Sequence, residues 1–182
     1  GAFNHVKKNQ SALNLAGLLT QGNIHSSLEH LIALIELAKN NKVQKINLHI
    51  FSDGKDSEPQ SALKILDALN EKIGDGINFG SVSGRYYALD RDNQWNRTQK
   101  AYEAMIGSAP AIQNIKEAVE TAYSRNLNDQ YIEPSTLNPE FCVKDNDALL
   151  FFDFREDSIR QIVTPFVLPD FTEFPIKKFS DL

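Results

Sequence analysis

Four stretches of this 182-residue chain carry side chains that can bind anions and move protons, and each follows an apolar run. They are Gly22-Asn23-Ile24-His25-Ser26, Asp53-Gly54-Lys55-Asp56-Ser57, the stretch from Ser83 to Asp92, and Asp153-Phe154-Arg155-Glu156-Asp157. Arginine forks match carboxylate and phosphate oxygens two at a time, whereas lysine supplies a point charge. Histidine and aspartate are side chains that serve as general acids and bases. If the four stretches meet, His25, Lys55, Asp56, Arg85, Arg91 and Arg155 form one basic pocket for a small anion, with acid–base groups inside it. Singly, each has a plainer reading. His25 beside a helix start can be a structural hydrogen-bonder, Lys55-Asp56 a solvated turn, and Asp90-Arg91-Asp92 a surface ion pair. Arg155, directly behind an apolar run, is harder to explain that way, and convergence of all four stretches favours function.

The elements between these stretches alternate. Leu13–Leu19 reads as a buried strand, and Ser26-Ser27 as the cap of a helix whose inner face is Leu28, Leu31, Ile32, Ile35 and Ala38. Residues 43–51 read as a second strand, and Pro59 suits the first turn of the helix after it. A third strand over 77–82 is expected to break at Ser83-Gly84. Helices over 94–106 and 111–125 follow, then a strand over 148–154 and a short helix over 156–164. This rhythm implies right-handed crossovers: an α/β fold with a mainly parallel sheet, helices on both faces and three α/β/α layers. Ligands of such sheets bind where the loops converge at the carboxyl ends of the strands, and that is where the four polar stretches fall. Residues 126–146 read as a polar loop or edge excursion, and 165–182, with three prolines, as an exit linker.

Composition narrows the partners. Nineteen basic against twenty-four acidic residues give a net charge of −5, which argues against general nucleic-acid or anionic-membrane binding but permits a locally basic pocket. The length suits one domain spanning 1–182. No apolar run approaches the length of a membrane span, no secretion signal is visible, and the cytoplasm is the expected compartment. The single Cys142 excludes an internal disulfide and is expected to be a buried small hydrophobe. The four histidines lack metal-ligand spacing, so no metal site is expected in this chain. His49, inside a strand, reads as structural. No phosphate-binding glycine loop, dinucleotide fingerprint or nucleophile elbow occurs. Trp95, Tyr86 and Tyr87 read as packing residues.

At the four loops the sequence resembles the 2,3-bisphosphoglycerate-independent (cofactor-independent) phosphoglycerate mutases. The matching residues are Leu18-Leu19 through His25-Ser26, Asp53-Gly54-Lys55-Asp56, the stretch Ser83-Gly84-Arg85-Tyr86-Tyr87-Ala88-Leu89-Asp90-Arg91-Asp92, and Phe151-Phe152-Asp153-Phe154-Arg155. Members of that family have a phosphatase-like domain, with two manganese ions and a serine that takes up the phosphoryl group. A second domain, inserted within it, holds the glycerate part of the substrate. The resemblance is to the inserted domain alone. It implies that His25, Asp56, Arg85, Arg91 and Arg155 contact substrate, with Asp56 as the acid–base group on the glycerate hydroxyls, and Lys55 is expected to bind substrate beside them. The implied partners are 2- and 3-phosphoglycerate and the phosphatase-like domain of the same polypeptide. Both manganese ions would sit in that missing domain, leaving the isolated chain inactive as an isomerase. The family usually has arginine at Lys55 and Ser158, and Asp and Gly at Gln21 and Asn23. A stand-alone anion-binding module, or a domain of an enzyme for another phosphorylated acid, are the alternative readings.

Overall fold

The computed structural model describes residues 1–182. Its centre is a five-stranded sheet in the order β4-β3-β2-β1-β5, formed by β1 (Leu13–Leu19), β2 (Ile46–Ser52), β3 (Ile77–Gly84), β4 (Ser135–Thr136) and β5 (Ala148–Phe151). All pairings are parallel except that of β4, a two-residue edge strand antiparallel to β3. β1 and β2 are buried at every position, as expected for strands covered on both faces. The seven helices are α1 (Ala2–Asn9), α2 (Leu28–Asn40), α3 (Ala62–Ile73), α4 (Arg85–Ala88), α5 (Trp95–Met105), α6 (Ile115–Ser124) and α7 (Glu156–Val167).

Two cores flank the sheet. On one face Leu13, Leu15, Leu48 and Ile50 pack against Val6 of α1, Leu31 and Ile35 of α2, and Ile65 and Leu69 of α3. On the other, Ala16, Leu18 and Phe51 pack against Tyr102 and Met105 of α5 and Ile159 and Ile162 of α7. This is the expected three-layer α/β/α arrangement. A smaller cluster joins Val82 to Val119 and Ala122 of α6.

Several boundaries depart from the sequence pattern. β2 starts at Ile46, and β3 runs through Ser83 and Gly84, which pair with Phe51 and Ser52 of β2 instead of breaking the strand. α3 starts at Ala62, beyond Pro59. Its first amides, of Ser61 and Ala62, are taken by the buried carboxylate of Asp129, a cap delivered from a distant loop that no local pattern encodes. Ser27 does occupy the α2 cap position, yet its hydroxyl donates to Glu29 rather than accepting a helix amide. β5 stops at Phe151, because the following backbone turns to donate from Phe154 to the His25 carbonyl. Segment 126–146 holds two 3-10 turns (Asp129–Tyr131 and Pro139–Phe141), β4 and the fully buried Ile132, so it is an edge excursion tied into the sheet. Helix α1 has no counterpart in the sequence reading. The exit-linker expectation for 165–182 needs correction as well. Residues 165–167 complete α7, and Phe174 is buried against Tyr102, with Phe171 and Ile176 packed on the same core. The aromatic side chains outweigh the three prolines.

Candidate active-site cleft

The carboxyl ends of β1, β2, β3 and β5 open into a cleft of about 520 Å³ lined by all six expected residues, His25, Lys55, Asp56, Arg85, Arg91 and Arg155. Tyr86, Asp90, Asp92, Arg97, Gln130 and Ser158 complete most of its polar wall. The sheet thus gathers side chains from four loops far apart in sequence, as the carboxyl edge of a parallel sheet does.

The loop after β2 is built by Asp53. Its Oδ1 accepts the amides of Lys55 (3.1 Å) and Asp56 (3.0 Å), and its Oδ2 accepts the Ser57 amide (2.7 Å). One carboxylate therefore curls the chain into a tight turn that points Asp56 into the cleft. Gly54 takes a φ of 75° in that turn, a left-handed conformation that glycine adopts without cost. The β1 loop is fastened to the same carboxylate, since Thr20 donates to Asp53 Oδ2 at 2.6 Å. Gly22 completes the fit: a Cβ there would stand 2.4 Å from the Asp56 carbonyl oxygen, so the two loops approach too closely for any side chain.

On this frame sits a buried charge cluster. His25 Nδ1 is 2.5 Å from Asp56 Oδ2. Arg85, the first residue of α4 and 9% exposed, donates from Nη1 to Asp53 Oδ1 (2.5 Å) and pairs with Asp56 Oδ1 (3.0 Å). Its Nη2 lies 3.4 Å from both His25 ring nitrogens and so is aligned with neither. Burial alone would raise the Asp53 carboxyl, but donation from Thr20, the Asp56 amide and Arg85 brings it below its ordinary value. Asp53 is therefore a fixed anion, and Asp56 shares its cation. Asp56 has one oxygen on an imidazole and the other on a guanidinium, an arrangement that fixes the carboxylate at the cleft floor.

Nearer solvent lies a looser cluster. Asp157, in the first turn of α7, accepts from Arg91 Nη1 (2.6 Å), Arg155 Nε (2.8 Å) and Arg155 Nη2 (3.3 Å). Arg97 pairs with Asp90 at 3.1 Å and lies 4.0 Å over the Tyr86 ring. Asp90 in turn accepts the Gln94 amide at the start of α5 and the Gln161 side chain from α7, fixing both helices beside the cleft. Lys55 is the one cation of the cleft without an ion pair.

Four residues here escaped the sequence reading as parts of the site. Asp53 had a signal, since an Asp-Gly pair directly after a strand is a turn-forming sequence. Asp157 stood in the fourth polar stretch, but its pairing with Arg91 had no local signal; Arg97 and Gln130 had none at all, because their places depend on α5 and the 126–146 excursion folding back. Other readings stand as expected. Cys142 is buried, with its thiol pushed up to about 11 by burial. His49 is fully buried between Ser81 and Asn14, and burial holds it down to about 3, hence neutral. Trp95 packs against Phe171 and Tyr87 is buried, whereas Tyr86 is partly exposed at the cleft wall.

The family model described as the BPG-independent PGAM N-terminus matches residues 1–182. The chain belongs to that family. Among curated relatives of this mutase family it is 41% identical over 187 residues to 2,3-bisphosphoglycerate-independent phosphoglycerate mutase 1 of Methanosarcina barkeri, covering 98% of this chain and 36% of that protein. It is 41% identical over 186 residues to the 2,3-bisphosphoglycerate-independent phosphoglycerate mutase of Staphylococcus haemolyticus, covering 100% and 37%. A solved phosphoglycerate mutase of Leishmania mexicana, described at low cobalt concentration, superposes with a TM-score of 0.90 at 26% identity, over 99% of this chain and 36% of that one. The chain thus spans little more than a third of the length of these mutase relatives.

Proposed function

We propose that this chain is the substrate-binding domain of a cofactor-independent phosphoglycerate mutase, an isomerase that in its full-length form interconverts 2- and 3-phosphoglycerate in the cytoplasm. One observation carries the reading: Asp56 is gripped by His25 and Arg85 in a cleft whose other walls present Lys55, Arg91 and Arg155. A phosphoglycerate needs both halves of that arrangement. Its phosphate and carboxylate call for cationic forks, and its hydroxyls call for a group that takes and returns protons as the phosphoryl group changes position.

In this reading Arg91, Arg155 and Lys55 hold the anionic ends of the substrate. Arg85 pairs with Asp56 and keeps it aimed, and Asp56, backed by His25, moves the proton of the glycerate hydroxyl. Phosphoryl transfer itself belongs to the phosphatase-like part of the full-length protein, of which this domain is the insert. The residues present here do not fit a metal. No group of three or more His, Cys, Asp or Glu side chains is arranged to hold an ion, so the manganese is assigned to that other part. Calorimetric titration of the isolated chain with manganese should accordingly show no stoichiometric binding, and a one-to-one or two-to-one isotherm would reverse the assignment. No helix is long and apolar enough to cross a membrane. The reading is tested by assaying the full-length protein for conversion of 3- to 2-phosphoglycerate. Binding without turnover would support an anion-binding module, and turnover of a different phosphorylated acid would support the related-enzyme alternative.

A further inference from the structure

We propose that Asp157 is a built-in competitor for the substrate: its carboxylate occupies the place between Arg91 and Arg155 that an anionic group of phosphoglycerate takes, and binding displaces it. The inference rests on the proposed function of the cleft and adds a residue that sets its affinity. The observation is the shape of the contact. Arg155 meets both oxygens of one carboxylate, Nε to Oδ1 at 2.8 Å and Nη2 to Oδ2 at 3.3 Å, the fork-on-fork pairing that guanidinium groups make with carboxylate and phosphate ligands. Arg91, from a different loop, closes on Oδ2 at 2.6 Å. A single carboxylate thus bridges two arginines that line the ligand cleft and that nothing else in the chain pairs with.

Charge and exposure make this bridge exchangeable. Two guanidinium groups against one carboxylate leave one positive charge uncompensated, so a phosphate dianion is a better partner for the pair than Asp157. The three side chains are 41–52% exposed, and exposed ion pairs are weak enough for a ligand to break. Arg155 and Arg91 hold the Asp157 carboxyl below its ordinary value, so it remains an anion throughout the neutral range. With no ligand present, the bridge keeps both forks in the cleft wall and keeps stray anions off them. Its cost is affinity, because every substrate must first release Asp157.

The test uses the full-length protein with Asp157→Asn and Asp157→Ala, and Arg155→Ala as the reference for loss of the fork. If Asp157 competes, both substitutions at 157 lower KM for 3-phosphoglycerate by about two- to tenfold, the scale of one or two exposed ion pairs. They also lower the inhibition constant of inorganic phosphate or of glycerate, and the one that falls identifies which end of the substrate lies at this place. A residue that merely positions the two arginines gives the opposite result, a raised KM in both variants. A raised or unchanged KM overturns the proposal. Failure of this inference is separable from failure of the functional reading. Should the wild-type protein turn over phosphoglycerate and Arg155→Ala raise KM, the cleft is the substrate site whatever Asp157 does. Should the wild type not turn over phosphoglycerate at all, both fall together.

Discussion

The floor and the rim of one cleft are built by opposite means. At the floor, His25, Asp56, Arg85 and Asp53 have side chains no more than 10% exposed, and their polar contacts go to one another, to loop amides and to the Thr20 hydroxyl. At the rim, Arg91, Arg155 and Asp157 are 41–52% exposed, and both arginines pair with Asp157 alone. Taking charges out of water is costly unless they are paired and hydrogen-bonded, so the floor can have only one arrangement. The rim pays little for exchanging partners. Proton transfer needs fixed geometry, whereas capture of an anion needs cations that can change hands. Under the proposed function, the division of labour within the cleft follows from burial.

That contrast can be broken at its strongest point first. In the full-length protein, Asp56→Asn keeps the size of the side chain but removes the proton acceptor, and turnover should fall on the order of 10²–10⁴-fold with a much smaller change in KM. Turnover within a few-fold of wild type would make Asp56 a structural partner of Arg85. A second test moves one layer beneath. Asp53→Asn leaves Arg85 without its closest counter-ion and weakens three amide contacts. Urea unfolding of the chain should show a loss of about 2–4 kcal/mol, the range for removing one partner from a buried pair.

A third test uses pH. Asp153, two residues beyond β5, accepts the Leu18 amide through Oδ2, while its buried Oδ1 has no partner. Burial pushes this carboxyl up from 3.8 to about 7. Between about pH 4 and 7 the unfolded chain therefore releases a proton that the folded chain keeps, and this group makes stability fall as pH rises. Asp153→Asn should flatten that slope and stabilise the chain at pH 8, as read by urea midpoints across the range. An unchanged slope would mean that Asp153 is ionised in the fold. The smallest effect belongs to the rim of the cleft. Lys55→Arg adds a fork to a position that already carries charge, so KM for phosphoglycerate should fall by no more than severalfold, with turnover unaffected.

How far the sequence discloses this molecule follows the same division. The parallel order of the sheet was legible because β1 and β2 are continuous apolar runs, and the four polar stretches lie directly at strand ends. His25, Lys55, Asp56, Arg85, Arg91 and Arg155 were legible for that reason. The long-range contacts that shape the loops and the cleft were not. Asp129 caps α3 from 67 residues away, and Asp157 meets Arg91 across 66. Local pattern cannot register contacts that exist only after the chain has closed. The tail failed differently: its prolines suggested a linker, yet Phe171 and Phe174 anchor it to the Tyr102 core.

The most direct measurement of the whole account is a crystal structure of the full-length protein with phosphoglycerate bound. The account predicts a glycerate hydroxyl within about 2.6–3.2 Å of the Asp56 carboxylate, and an anionic group of the ligand between Arg91 and Arg155 with Asp157 turned away. A ligand seated outside this cleft, or one whose hydroxyls all lie beyond reach of Asp56, would contradict it.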